Sequence, residues 1–146
     1  MRTAAVVLIA SVLLTGCSSP SSSSSVPDAS PSAAPLPAET DFAEGTCRVA
    51  APDVLAVARA LPRLGDGGEV AADVRDELRV AQDRVFALAE TAEPEVKTAL
   101  DGLVTDLAIV RIRADSNTYE TPLGDGLREA YEDVVEVCTG SAPPAS

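Results

Sequence analysis

From position 70 onward the aliphatic residues return every three or four positions, and this period decides what the chain can fold into. Val70, Val74, Leu78, Ala81, Val85, Leu88 and Ala92 step by four, four, three, four, three and four, one apolar stripe held along a helix for more than three heptads. Asp73, Asp76, Glu77, Arg79, Asp83 and Arg84 fall on the other faces. Ahead of the stripe, Asp66 and Glu69 are spaced like the two members of a capping box, so the sequence predicts that this helix begins there. Pro94 opens the next helix after almost no connection, and Val96, Leu100, Leu103, Leu107, Val110 and Ala114 repeat the stripe. So short a joint implies an antiparallel hairpin. After the polar turn Asp115-Ser116-Asn117, Thr121 and Pro122 form an N-cap and first-turn pair, Leu123, Leu127, Tyr131, Val134 and Cys138 mark a further helix, and Gly140 stops it. Upstream, Pro52 followed by Asp53 suits a first turn, which predicts a helix from there to about position 61, stopped by Pro62 and Gly65. Four amphipathic helices within 41–140 imply an all-α, up-and-down four-helix bundle.

The texture before position 41 is different. Residues 18–40 hold nine Ser, five Pro and four Ala, too little apolar surface to offset the entropy of ordering, and read as a disordered tether. Its reach is roughly 25 Å as a coil and at most roughly 70 Å if polyproline-like. Residues 141–146, with Pro143-Pro144, read as a frayed tail.

The first sixteen residues have the layout of a secretory signal peptide: Arg2, an apolar run over 4–14, then the small pair Thr15-Gly16. The apolar run makes roughly 16 Å of helix, about half of what a bilayer core requires, so cleavage is expected rather than anchoring by that segment. Leu14-Thr15-Gly16-Cys17 resembles the lipobox of bacterial lipoproteins. The resemblance implies that Cys17 receives a diacylglyceryl group, becomes the mature N-terminus and is acylated on its amine. Two or three acyl chains, at about 0.8 kcal/mol per buried methylene, anchor stably where one does not. The expected location is extracytoplasmic, lipid-anchored to a bacterial membrane, with the cell membrane favoured.

Charge and composition limit the function. With 23 acidic against 11 basic side chains and a net charge of −12, the chain lacks the cationic surface that nucleic acid requires. It has no His, and therefore neither the commonest general base nor the Glu-x-x-His pairing of di-iron bundles. Asp115 and Asn117 start like a calcium loop, but Tyr119 takes the fifth position and Glu120 replaces the required Gly. Glu129, Glu132, Asp133 and Glu136 read as a solvated helix face, with Arg128–Glu132 and Lys97–Asp101 as surface pairs. Ser116, Thr118 and Thr121 share a loop without His, Lys or a nucleophile elbow, so no catalytic set emerges and the chain reads as a non-enzyme without cofactor or metal. Tyr119 and Tyr131 carry a hydroxyl of the kind that ligates haem, but Tyr131 falls on the stripe as a core residue. Gly102, near the stripe of the third helix, suits either close helix packing or room for an apolar guest.

Once Cys17 is lipidated, two cysteines remain, Cys47 and Cys138, in an exported chain where disulfides persist. In an up-and-down bundle the start of the first helix and the end of the last lie at the same end, so a structural Cys47–Cys138 bridge is expected. Anchor, spacer and acidic bundle together lead to the expectation of an interaction or structural module of the cell envelope, with a protein or envelope polymer as partner. The alternative is a carrier of a small apolar ligand, lipid or haem-like, between its helices.

Overall fold

The computed structural model describes residues 35–140; the expected signal peptide, Cys17, most of the expected tether and the expected frayed tail lie outside the described residues. Helices α1 (Thr46–Ala60), α2 (Ala72–Ala89), α3 (Pro94–Asp115) and α4 (Thr121–Thr139) pack in chain order, and α4 returns against α1 to close an all-α, up-and-down bundle. The described residues include no helix long and apolar enough to cross a membrane.

The stripes face the core as their spacing requires. Leu100, Leu103, Leu107, Val110 and Ala114 of α3 are all buried, and so are Val74, Leu78, Ala81 and Val85 of α2 and Leu127, Tyr131, Val134 and Cys138 of α4. The expected pair Lys97–Asp101 forms one turn apart on α3 at 2.9 Å. Gly140, at φ 65°, adopts the left-handed conformation that ends a helix and donates its N–H to the Glu136 carbonyl at 2.9 Å.

Three helix starts differ from expectation. The first helix begins at Thr46, six residues before Pro52, which lies inside it. An interior proline removes the hydrogen bond to the carbonyl four residues back and usually costs about 3 kcal/mol. Here Pro52 and Arg48 are both exposed, so the orphaned Arg48 carbonyl faces water. Burial of Cys47, Ala50 and Ala51, with the cross-link at Cys47, stabilises the extra turn. Asp53 therefore does not sit in a first turn; it is largely buried and accepts a hydrogen bond from Arg84 Nη1 of α2 at 3.3 Å.

The second helix begins at Ala72, not at Asp66. Gly67 and Gly68, at φ 124° and 82°, hold backbone that other residues rarely adopt, and two adjacent glycines would cost a helix about 2 kcal/mol relative to alanine. The segment instead runs extended, buries Val70, and pairs with the α3–α4 connection, where the Gly68 N–H donates to the Tyr119 carbonyl at 2.8 Å. In the fourth helix, the Thr121 hydroxyl does not cap its own helix. It donates to the Asp66 carbonyl at 3.0 Å and pins the two connections together.

Candidate functional site

At one end of the bundle the incoming chain is strapped down. Phe42 is buried, the Ala43 N–H donates to the Cys138 carbonyl at 2.8 Å, and Cys47 is bonded to Cys138 with their Cα atoms 5.3 Å apart. Arg48 completes the strap: its Nε and Nη2 donate to the Phe42 carbonyl at 3.0 and 2.7 Å, and Nη2 also reaches the Thr40 carbonyl at 3.1 Å. The expected disulfide is therefore formed, although Cys47 lies in the first turn of α1 rather than before it. The chain enters and leaves the domain at the same end.

The opposite end carries the α1–α2 and α3–α4 connections and a depression of about 180 Å³ lined by Asp66, Tyr119, Thr121, Gly124, Asp125 and Arg128 among others. A Cβ at Gly124 would collide with the Tyr119 hydroxyl, so any side chain there requires the tyrosine to shift. Burial raises the Tyr119 pKa and Asp125 raises it further, while Arg128 opposes them. Arg128 forms no ion pair with Glu132 among the described residues, contrary to expectation, and borders this depression instead. Ser116 Oγ lies 2.8 Å from the Ile112 carbonyl and 2.8 Å from Thr118 Oγ1, so it closes the end of α3. Tyr131 is buried on the core face of α4, and that burial, with Glu132 adding to it, raises its pKa. Among the described residues no three metal-ligating side chains come together.

A larger depression runs along the side of the bundle between α3 and α4, about 640 Å³ and open to solvent. Ala99 and Gly102 of α3 and Ala130 and Val137 of α4 contribute its apolar lining, and Glu95, Asp133 and Glu136 are its exposed acidic residues. Gly102 is exposed, and a Cβ built there meets nothing within 4 Å. Of the two readings of this glycine, close helix packing is absent, and the residue costs α3 about 1 kcal/mol relative to alanine without easing any contact.

Ion pairs among the described residues are confined to α1, α2, α3 and the α1–α2 connection. The pairs among the described residues are Arg63 with Asp73 and with Glu77 (2.6 Å), Arg75–Asp115 (3.4 Å), Arg79–Asp76 (3.1 Å), Arg84–Asp53 (3.3 Å) and Lys97–Asp101 (2.9 Å). None of them includes a residue of α4 or Glu95. Helix α4 itself carries Asp125, Glu129, Glu132, Asp133 and Glu136 against Arg128 alone. The sequence places Glu129, Glu132, Asp133 and Glu136 on a solvated face and reveals no groove beside them. The available signal was small residues on both helices, Ala99 and Gly102 on α3 and Ala130 beside the acidic run of α4. Comparison with known proteins finds no matching family model, no matching curated protein and no matching solved structure.

Proposed function

We propose that the protein is a lipid-anchored, non-enzymatic module of the bacterial cell envelope that displays an acidic helical domain to a protein or envelope-polymer partner. The observation that carries this reading is the strapped end of the bundle: entry segment, disulfide and last turn of α4 are gathered at one end. A domain held from that end keeps its far end, with the α1–α2 and α3–α4 connections, clear of the attachment. The Leu14-Thr15-Gly16-Cys17 motif supports the anchor, and the acidic net charge of −12 supports a domain kept off an anionic surface rather than lying on it. The depressions described above are open and rimmed by charge, so neither favours the apolar-ligand carrier.

Membrane fractionation of cells that make the native chain or its Cys17→Ser variant tests the anchor, and surface cross-linking of intact cells in the same experiment tests the display. The reading expects the native chain in the membrane fraction with a cross-linked partner, and both lost together in the variant. A variant still bound to membranes overturns the anchor. A lipid or pigment released from the purified native protein on denaturation would replace the module with the carrier.

A further inference from the structure

We infer that the groove between α3 and α4 docks a basic amphipathic helix of a partner protein; the inference deepens the display reading and rests on it. Three observations converge on this occupant. The first is the shape of the groove. Two antiparallel helices border it, and from Glu95 to Gly102 the α3 side advances by seven residues, about two turns. Another seven residues along the same helix face bring Ile109, which is 40% exposed. The strip from Glu95 to Ile109 is about 21 Å long at 1.5 Å per residue, the length of about four turns of a partner helix.

The second is the vacancy above Gly102. Its backbone is ordinary helix with no positive φ, and apart from the adjoining backbone of its own helix no atom stands within 4 Å of the position its Cβ would take, which opens to solvent. The fold does not require a glycine there. With Ala99 and Ala130 beside it, the position leaves room for a large apolar side chain to approach the backbone closely, as knobs enter grooves between helices.

The third is charge. Glu95, Asp133 and Glu136 stand along the groove, outside every ion pair of the described residues. A helix with Lys or Arg flanking an apolar ridge complements both features. The other occupants do not match. A second copy brings its own −12, and an anionic bilayer is repelled likewise. Residues 1–34 and 141–146 contain Arg2 as their single cation, so neither stretch supplies the basic flanks.

The test uses the exported chain carrying Cys17→Ser, labelled with nitrogen-15, and a synthetic amidated peptide of about 18 residues made of Leu, Ala and Lys, with Leu at three- and four-residue steps. Controls are a peptide of the same composition in permuted order, and a twin with Glu in place of Lys. Saturable binding of the first peptide is expected, with amide shifts centred on Ala99, Gly102, Ala130 and Val137. Gly102→Leu, which fills the vacancy, and the triple variant E95Q/D133N/E136Q should each weaken it by about tenfold or more, with helicity by circular dichroism unchanged. Leucine is a better helix former than glycine, so lost binding in the first variant is not lost folding. Equal binding of the permuted peptide, undiminished binding by Gly102→Leu, or concentration-dependent self-association that shifts the same amides would overturn the inference. If the groove variants leave the Cys17-dependent cross-link on cells unaltered, the display reading stands and the groove inference falls.

Discussion

Replacing Cys47 and Cys138 together by alanine removes the covalent link between the first turn of α1 and the last turn of α4 while keeping both buried positions apolar. The two residues are 91 apart in sequence, and closing a loop of that size in the denatured chain corresponds to about 4.6 kcal/mol in the chain-entropy model. This is an upper figure, because residual structure in the denatured chain reduces it. Unfolding a domain of about 100 residues carries an entropy of about 0.2 kcal/mol/K, so the melting temperature should fall by about 20 °C. The helical content should remain, because the stripes of α2, α3 and α4 stay buried and the Ala43–Cys138 backbone bond and the Arg48 strap still hold the entry segment. Far-ultraviolet circular dichroism with heating, on native and variant chains at equal concentration, reads both quantities. A fall of less than about 5 °C would show that the cross-link hardly constrains the denatured chain. Loss of the helical signal before heating would show that the helices themselves depend on the bridge.

Two of the helix-interior glycines should respond oppositely to alanine: Gly124→Ala, which drives a methyl into the Tyr119 hydroxyl, should cost about 1–3 kcal/mol, and Gly102→Ala should gain up to about 1 kcal/mol, both measured by urea unfolding. Tyr119 and Tyr131 have raised pKa values through burial, so their contribution to stability is complete below the unfolded value of about pH 10 and is lost as pH rises through the higher folded values. With two Tyr and no Trp in the chain, absorbance at alkaline pH follows this directly, and ionisation of the folded protein at the ordinary tyrosine pH would refute it. Adding a chelator should leave the circular dichroism and melting temperature unchanged, since the core consists of apolar stripes; a large loss of helicity would mean that the carboxylates hold a structural ion.

The helical core was legible because its signal is local and repeated. Leu100, Leu103, Leu107 and Val110 declare a face by spacing alone, and Pro94 marks where their helix starts. The bridge was legible for a different reason: once the topology was an up-and-down bundle, the positions of Cys47 and Cys138 followed from it. The start of α1 was not, because Pro52 carries the same local signal at a first turn as on the exposed side of a longer helix, and tertiary burial of Cys47 and Ala50 decided between them. At the start of α2 two local signals competed. The Asp66 and Glu69 spacing lost to the backbone freedom of Gly67 and Gly68, which the bridge to Tyr119 exploits. The groove depends on the register of α3 against α4, which no single helix encodes. Gly102 was visible in the sequence, but the side it faces was not.

Attachment of the folded domain to a membrane through Cys17 would be read out by the intact mass of the native chain extracted from membranes with detergent. The expected species is a polypeptide that begins at Cys17 and carries the added mass of a diacylglyceryl group, with an amide-linked acyl chain where the amine is modified, and Cys47 and Cys138 oxidised to each other. A chain with a free Cys17 thiol, or one that begins downstream of residue 17, would contradict it.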